Sequence, residues 1–104
     1  MSEYRVYITK PAENDLRDIV RYISSQLNVP ITALNMMQTL EKAIAALKTT
    51  PCLNPLVRDD RLASMGYRAL RIKNYIAFYI VDENEKAVDV DRILYARRDW
   101  QNIL

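Results

Sequence analysis

The sequence predicts an α+β fold in the order β-α-α-β-β-β, with a helical hairpin packed on one face of an antiparallel sheet. Three observations predict this fold. Apolar residues alternate at the start of the chain, recur every three or four positions through its middle, and alternate again in its last third. The chain has 104 residues, of which 50% are hydrophobic and 27% are charged. These values are typical of a small globular protein, and we expect a single domain over residues 1–104.

The N-terminal elements are a strand and an amphipathic helix. The residues "YRVYI", residues 4–8, alternate between two faces and predict the first strand. Pro11 suits the first position of a helix, with Glu13 and Asp15 in the positive first turn. The apolar stripe of this helix consists of Ala12, Leu16, Ile19, Val20, Ile23 and Leu27. The residues "NVP", residues 28–30, are expected to end it.

A second helix is predicted from about residue 31 to residue 48. Its apolar residues fall at alternating steps of four and three, and they are Ala33, Met37, Leu40, Ile44 and Leu47. The two helices together form a helical hairpin. The residues "TTPCLNP" are expected to end the second helix, and "LVRDDRLASMG", residues 56–66, is predicted to be a loop or an irregular crossover.

The last third of the chain predicts three antiparallel strands. The first is "YRALRIK", residues 67–73, which alternates between two faces. The second, "YIAFYIV" at residues 75–81, is β-branched and aromatic throughout, as is typical of a central strand. The residues "DENEK" supply a hairpin turn, and residues 87–95 form the last strand. The chain then closes with the short tail "DWQNIL".

The last strand contains a break in its alternation. Val88 and Val90 are apolar residues between acids. Strict continuation of this pattern would place Arg92 on the apolar face and Ile93 on the acidic face. One extra residue near Asp91 and Arg92, a β-bulge, would restore the pattern. Bulges often redirect side chains beside functional surfaces.

The composition excludes most familiar catalytic centres. The chain has no histidine, one cysteine and one glycine. It therefore cannot form a Ser-His-Asp triad, a Cys-His pair, an imidazole or thiolate metal site, or a glycine-rich phosphate loop. We expect no metal and no cofactor.

The sequence also indicates the compartment in which the protein works. Cys52 cannot form an internal disulfide, and the opening residues "MSEYRVYITK" contain no apolar signal segment. No apolar run reaches the ~18 residues that cross a bilayer. We therefore expect a cytoplasmic protein without a membrane partner.

Two basic segments contain no acid, although the net charge is only +2. Residues 61–81 carry Arg61, Arg68, Arg71 and Lys73, and "RILYARR" carries Arg92, Arg97 and Arg98. Such segments favour an anionic partner, and neighbouring tyrosines could stack on bases. The alternative interpretation is a solvated sheet face whose cations prevent edge pairing. The functional interpretation requires that Arg71, Arg97 and Arg98 form one shared docking surface.

The C-terminal part of the chain resembles a known superfamily. Residues 66–100, "GYRALRIKNYIAFYIVDENEKAVDVDRILYARRDW", are similar to the RelE/ParE superfamily, the toxins of bacterial type II toxin–antitoxin modules. The most specific pieces are the spacing of Tyr75 and Tyr79 and the closing "RILYARRDW". The first strand, the helical hairpin and the basic pI of about 8.8 also match. The resemblance therefore covers essentially the whole chain.

The superfamily implies one of two activities. RelE-like members cut mRNA on the ribosome with Lys, Arg and Tyr side chains, whereas ParE-like members inhibit DNA gyrase. For a nuclease, Arg97 matches a catalytic position, and Arg68 and Arg71 are approximate equivalents of basic residues in the second strand. Nuclease members also carry an Arg after the first Tyr and a Tyr in the last helix. This chain has Ile76 and Ile103 at those positions.

The resemblance therefore favours a ParE-like toxin that binds gyrase and is neutralised by a cognate antitoxin. ParE-like members share an "RRD"-like ending, although a histidine commonly stands where this chain has Tyr95. The residues expected to bind the target or its phosphates are Arg61, Lys73, Tyr95 and Arg98. Those expected to bind the antitoxin are Leu16, Val20, Trp100 and Leu104, although the last two could instead dock on the domain itself. The alternatives are a RelE-like nuclease acting on ribosome-bound mRNA and a degenerate member without toxicity.

Overall fold

A computed structural model describes residues 3–26 and 30–104. The strands are β1 (Arg5–Ile8), β2 (Tyr67–Ile72), β3 (Tyr75–Asp82) and β4 (Ala87–Tyr95), and they form one sheet in the order β1-β4-β3-β2. The helices are α1 (Lys10–Arg21), α2 (Pro30–Ala45), α3 (Asp60–Ser64) and α4 (Trp100–Ile103). A π-helical segment (Tyr22–Gln26) continues α1, and a 3-10 turn (Ala46–Lys48) continues α2. The α+β order is confirmed. No helix within the described ranges is long and apolar enough to cross a membrane.

The sheet is mixed, whereas an antiparallel sheet was expected. Strands β2, β3 and β4 form the predicted antiparallel meander, but β1 pairs with β4 in parallel. The reason lies in the end of the helical hairpin, where the Lys48 carbonyl accepts a hydrogen bond from the Tyr4 N–H at 2.8 Å. The hairpin thus returns the chain to the start of β1, and the meander sets out in the same direction as β1.

The predicted bulge is present in β4. The adjacent residues Phe78 and Tyr79 of β3 do not pair with adjacent residues of β4. Their partners are Arg92 and Val90, so Asp91 is the extra residue. Because of this extra residue, the apolar residues on either side of the bulge share one layer, and Arg92 is kept out of it.

Helix α1 begins directly after β1. The Thr9 hydroxyl caps its N-terminus by accepting a hydrogen bond from the Ala12 N–H at 3.3 Å, and Pro11 lies in the first turn, as predicted. Glu13 also lies in the first turn. Asp15, in contrast, was expected beside the helix N-terminus but is buried within the protein.

The far end of the helix departs from regular α geometry. It widens into the π-helical segment (Tyr22–Gln26), in which the Ser24 hydroxyl donates to the Val20 carbonyl at 2.9 Å. The sequence predicted no such change. The predicted stripe residue Leu27 and the predicted helix break at residues 28–29 lie outside the described residues.

The segment predicted to be a loop contains helix α3. The Asp59 carboxylate caps this helix by accepting a hydrogen bond from the Leu62 N–H at 3.0 Å. Leu62 is fully buried against the sheet. One capping acid and one buried leucine are too few residues to show helical periodicity, which explains why the sequence predicted a loop.

Both faces of the sheet carry an apolar layer. The first layer lies under α1 and α2 and contains Ala12, Leu16, Ile19, Ile23, Ala33, Leu40, Ile44, Leu47, Ile72, Ala77, Tyr79, Val88, Val90 and Ile93. The second layer lies on the opposite face and contains Val57, Leu62, Tyr67, Phe78 and Leu94. The predicted packing of the helical hairpin on one face is confirmed, and α3 and α4 cover part of the other face.

Candidate functional site

Four of the predicted cations lie at one end of the sheet. Arg71 is near the end of β2, and Lys73 lies in the tight turn to β3. Because β3 starts opposite the end of β4, Arg97 and Arg98, which follow β4, belong to the same end. We call these four residues the basic end of the sheet. Lys73 was predicted to be a strand residue, but β2 ends at Ile72 because Lys73 adopts the positive φ of 54° that a tight hairpin turn needs.

The four cations of the basic end do not share one hollow. Arg98 lines a cleft on the first-layer face of the sheet. Arg71 pairs with Ile76, whose side chain packs against the second layer, so Arg71 points to the opposite face. The Arg71 Nε donates a hydrogen bond to the carbonyl of Lys73 at 2.5 Å. The sheet therefore separates Arg71 from Arg98, and the two do not form the shared surface that was expected.

Two other candidate arginines are engaged in contacts within the protein. Arg68 Nη1 donates to the Asn54 carbonyl at 2.6 Å, which ties β2 to the crossover before α3. Arg61 Nη2 donates to the Gln101 carbonyl at 2.8 Å, which joins α3 to α4. Arg68 and Arg71 are three positions apart on one strand, so they face opposite sides of the sheet. They are therefore not placed to act together on one phosphate.

The cleft beside Arg98 has a volume of about 690 Å³ and lies between the helical hairpin and the ends of β3 and β4. Its buried lining is mainly apolar and includes Ile19, Ile23 and Ile93, together with the buried acid Asp15. Its more accessible lining includes Tyr22, Tyr75, Tyr95, Asp18, Asn74 and Arg98. We call it the tyrosine cleft. Although acids line part of it, no three potential metal-ligating side chains converge anywhere in the described part of the chain.

Tyr75 is the most constrained phenol of the tyrosine cleft. Its ring forms a T-shaped pair with Tyr95, with the ring centroids 5.9 Å apart and the planes at 73°. Burial raises the pKa of the Tyr75 phenol, and the neighbouring phenols of Tyr22 and Tyr95 raise it further. The Tyr75 hydroxyl is therefore protonated at neutral pH and is able to donate a hydrogen bond to a ligand.

Buried tyrosines elsewhere in the sheet have pKa values displaced in the same direction. Burial raises the pKa of Tyr67 to about 12, and the hydrogen bond that it donates to Asp91 at 2.6 Å contributes to this shift. Burial also raises the pKa of Tyr79, whose hydroxyl donates to the Pro51 carbonyl at 2.5 Å and accepts from the Asn54 amide at 3.1 Å. A general base at pH 7 needs a pKa near neutrality, and the pKa values of these phenols are shifted away from neutrality.

A second groove, of about 490 Å³, runs along the other side of α1. Leu16 and Val20, predicted to bind an antitoxin, line it together with Met37 from α2. Leu16 is only 8% exposed, so most of its side chain already packs in the first layer, whereas Val20 is half-buried. Arg17 and Arg21 border the groove. We call it the helical groove, an apolar surface bordered by two arginines and by the acid Glu13.

The predicted C-terminal contact residues lie on the opposite face. Trp100 packs on Phe78 with the ring centroids 5.2 Å apart, and Leu104 packs against the second layer. Docking on the protein itself, one of the two alternatives for these residues, is thus present in the structure. Antitoxin binding by Trp100 and Leu104 stays a prediction.

Asp18, Tyr22 and Asn74 line the tyrosine cleft but were not predicted from the sequence as site residues. Tyr22 lies three positions after Ile19, on the flank of the apolar stripe, and this spacing could have placed it beside the sheet. Asn74 could have been found from its position in the turn between two strands. Asp18 carries no comparable signal, because an acid on a helix is usually solvated.

The sequence matches a toxin family model, and the fold is similar to chains in two toxin–antitoxin structures. A family model described as the ParE toxin of the type II toxin–antitoxin system ParDE matches residues 6–100. The fold is similar to a structure of the chromosomal ParDE toxin–antitoxin system from P. aeruginosa, with a TM-score of 0.74 and 18% identity over 90% of this chain and 97% of the other. It is also similar to the toxin–antitoxin complex RelBE2 from Mycobacterium tuberculosis, with a TM-score of 0.62 and 20% identity over 89% and 98% of the respective chains. No curated protein sequence gives a significant match.

Proposed function

The chain belongs to the ParE toxin family of type II toxin–antitoxin systems, and from this membership we propose that it arrests growth by binding DNA gyrase. The observation that carries the proposal is the match of residues 6–100 to the ParE toxin family, and the direction of the tyrosine pKa values is consistent with a binding role. Each phenol whose pKa is displaced in the described structure is displaced upward. The chain also has no histidine, and the displaced phenols are shifted away from the near-neutral pKa that a general base needs.

RNA cleavage would require more than these cations. Attack by a 2′-hydroxyl needs a base for the hydroxyl proton, stabilisation of the phosphorane charge and an acid for the leaving oxygen. Arginine supplies the charge stabilisation but is a poor base, because it is always protonated. Ile76 and Ile103 occupy the two positions where nuclease-type relatives carry Arg and Tyr, and both pack against the second layer.

Target binding, in contrast, needs exposed cations that are not already paired. Arg97 and Arg98 are exposed, and their side chains form no hydrogen bond or ion pair with any residue in the ranges 3–26 and 30–104. Lys73 is also exposed, and Tyr95 is 41% exposed beside Arg98. Because the sheet separates Arg71 from Arg98, no shared surface supports target binding, and this role rests on the family match and on the exposure of Arg97, Arg98 and Lys73. Arg61 is less available for target binding, because its guanidinium already donates a hydrogen bond to the Gln101 carbonyl of α4.

The helical groove supports neutralisation by a cognate antitoxin. Both structural neighbours are described as toxin–antitoxin assemblies. An amphipathic helix can lay its apolar face into a groove of this kind, with Val20 and Met37 as contacts. Arg17 and Arg21 at the edges would pair with acidic residues on that helix. The proposed antitoxin segment is therefore acidic and amphipathic.

The test is gyrase supercoiling of relaxed plasmid in the presence of the purified full-length chain. We expect wild-type protein to block supercoiling, and Arg98→Ala to weaken the block by about tenfold or more, the loss expected for one charge-assisted hydrogen bond. Arg17→Ala is the matched control, because Arg17 lies in the helical groove and should leave inhibition unchanged. Undiminished supercoiling at high molar excess of the chain rules out gyrase as the target.

The alternative function is cleavage of ribosome-bound mRNA, and the observation that favours it is the exposed Arg97, which matches a catalytic position of RelE-like nucleases. The same protein preparation, added to a translation extract, separates the two functions. Codon-dependent breaks that disappear in Arg97→Ala would identify a nuclease. Intact mRNA, active gyrase and harmless overexpression together would identify a member without toxicity.

A further inference from the structure

The tyrosine cleft extends well beyond the two residues, Tyr95 and Arg98, to which the proposed function assigns a role. Its volume of about 690 Å³ falls within the range of roughly 300–1,000 Å³ that is usual for ligand sites. Ile19, Ile23 and Ile93 in its lining are 7%, 5% and 1% exposed, respectively. The buried lining is thus mainly apolar, although it includes the buried acid Asp15, and it suits a bulky apolar group.

Two aromatic rings at the edge of the tyrosine cleft are exposed to solvent. Tyr22 is 53% exposed and Tyr95 is 41% exposed. Tyrosine and arginine are the residue types that most often dominate the binding energy of protein interfaces, because they combine a large contact area with polar groups. Tyr22, Tyr95 and Arg98 line the same cleft, which is the composition of an interface centre.

The position of Tyr22 depends on an unusual backbone. It is the first residue of the π-helical segment (Tyr22–Gln26), and the next residue, Ile23, lines the tyrosine cleft as well. The hydroxyls of Ser24 and Ser25 stabilise this wider turn by donating to carbonyls of the preceding turn. Single-turn π-helices are rare and occur frequently at functional sites. This second observation is independent of the volume of the cleft.

The charges of the tyrosine cleft are few and of both signs. The carboxylate of Asp15 is already paired with Arg92 at 2.8 Å. Asp18 and Arg98 are the charged lining residues that remain, and neither forms an ion pair or side-chain hydrogen bond with any residue that the structure describes. A ligand that complements this cleft therefore has an apolar centre with an acidic group on the side of Arg98.

We propose that the tyrosine cleft binds a polypeptide segment of a partner protein, in which a bulky apolar side chain enters the cleft and a neighbouring acidic side chain pairs with Arg98. The proposal goes beyond gyrase inhibition, because it specifies the chemistry of the bound segment whichever partner supplies it. The carboxylate of Asp18 favours a basic residue elsewhere on the same segment.

A nucleic acid fits the tyrosine cleft less well than a polypeptide. The isoleucines of the interior offer no hydrogen-bond partner to the edge of a base, and an unpaired edge is costly to bury. Asp18 repels the phosphates that would approach Arg98. Nucleic acid binding is accordingly the competing outcome in the experiment below.

The experiment is a titration of the full chain with capped tetrapeptides, followed by amide NMR. One peptide has phenylalanine followed by glutamate, a second has phenylalanine followed by lysine, and a third has alanine followed by glutamate. We expect the first to shift the amide signals of Tyr22, Asn74 and Tyr95 and to bind about two- to fivefold more tightly than the second, as one exposed ion pair allows. The third peptide, which has alanine in place of phenylalanine, should not shift these signals.

Reversing the charge of residue 98 distinguishes a specific ion pair between Arg98 and the peptide from non-specific binding. In Arg98→Glu, the preference should reverse, so that the peptide with lysine binds more tightly than the peptide with glutamate. Arg58→Glu is the matched control, because Arg58 is an exposed arginine that lines neither the tyrosine cleft nor the helical groove, and it should keep the wild-type preference. Both substitutions are at exposed positions, so the fold is expected to persist.

Three outcomes would overturn the proposal: equal shifts with all peptides, an unchanged preference in Arg98→Glu, or shifts of the cleft signals by a single-stranded oligonucleotide but by no peptide. None of these readouts involves gyrase. A failure of the peptide proposal is therefore distinguishable from a failure of gyrase inhibition, which is read from plasmid supercoiling alone.

Discussion

At the scale of single residues, Tyr67 shows what alternation along a strand does and does not reveal. The sequence placed Tyr67 in the first strand of the meander, and the structure confirms this. Its ring is 7% exposed, and its hydroxyl donates to Asp91, the extra residue of the bulge, 24 positions further along the chain. Alternation indicates the face on which a residue lies but not its partner on another strand, so this hydrogen bond could not be predicted.

The raised pKa of Tyr67 makes the stability of the protein depend on pH in the alkaline range. Its value of about 12 in the folded protein, against 10.0 for an ordinary phenol, means that the folded state holds the proton more tightly than the unfolded state. The resulting stabilisation is fully present below pH 10 and is lost as the pH rises towards 12. We therefore expect the free energy of unfolding to fall over this range, and to fall less steeply in Tyr67→Phe.

Urea denaturation at a series of pH values on both sides of pH 10 measures this slope. Tyr7→Phe, which removes an exposed hydroxyl, is the control and should keep the slope of the wild type. The same slope in all three proteins would show that Tyr67 does not carry the effect.

At the scale of elements, Asp15 carries the contact between α1 and the open edge of β4. Its carboxylate accepts hydrogen bonds from Arg92 Nε and Nη2 at 2.8 and 2.9 Å and from the Ile93 N–H at 2.9 Å. Strand β1 stops short of the bulge, and the Thr9 hydroxyl donates to the free carbonyl of Asp91 at 2.9 Å. Helix α1 thus satisfies the polar groups of β4 that β1 leaves open, as buried backbone groups require.

Removal of the Asp15 carboxylate should destabilise the protein strongly. Asp15→Ala leaves the guanidinium of Arg92 and the N–H of Ile93 without their partner, and we expect a loss of about 3 kcal/mol in the free energy of unfolding. Asp18→Ala, an exposed acid of the same helix, is the matched control and should change it by about 0.5 kcal/mol or less. Equal losses in the two variants, measured by urea denaturation, would contradict this role.

The elements that the sequence predicted are the ones that are long enough to show a period. The four strands, the two long helices and the bulge all have clear patterns over several residues. Helix α3 and the π-helical segment do not, because their five residues span little more than one helical turn, whereas the four residues of β1 span two strand periods. Asp15 was assigned to the helix N-terminus because acids there are usually favourable. Its contact with Arg92 of β4, 77 positions away, could not be predicted from the residues around it.

At the scale of the whole molecule, the sheet joins two apolar layers. Adjacent residues of β3 belong to different layers, because Tyr79 is buried in the first and Phe78 in the second. Trp100, the one tryptophan of the chain, packs on Phe78. Strand β3 thus belongs to both layers, and a single domain stays a prediction.

A single cooperative domain predicts coincident unfolding of the two layers. Tryptophan emission reports on the second layer through Trp100, and far-ultraviolet circular dichroism reports mainly on α1 and α2 over the first. We expect both signals to give the same urea midpoint and the same slope. A tryptophan transition that precedes the loss of helix would show that the second layer unfolds separately, and would contradict the single-domain prediction.

The candidate site was predictable only in part at this scale. The sequence identified the cations of the basic end, because they cluster along two short segments. It did not identify the tyrosine cleft, because Tyr22 in the helical hairpin and Tyr75 and Tyr95 in the sheet come together only through packing of α1 on β4. The sequence also did not show that the sheet separates Arg71 from Arg98. Arg71 lies near the end of β2, just before the turn that contains Lys73, and its position in the alternation of β2 points it to the face opposite Arg98.

The parallel pairing of β1 with β4 has a consequence for the timing of synthesis. Thr9 and Asp91, which meet beside this pair, are 82 positions apart. At an elongation rate of about 5–20 residues per second, roughly 4–16 s pass between their translation. During this interval β1 lacks its pairing partner β4, which has not yet been synthesised. The speed of the ribosome therefore sets the earliest moment at which the complete sheet can form.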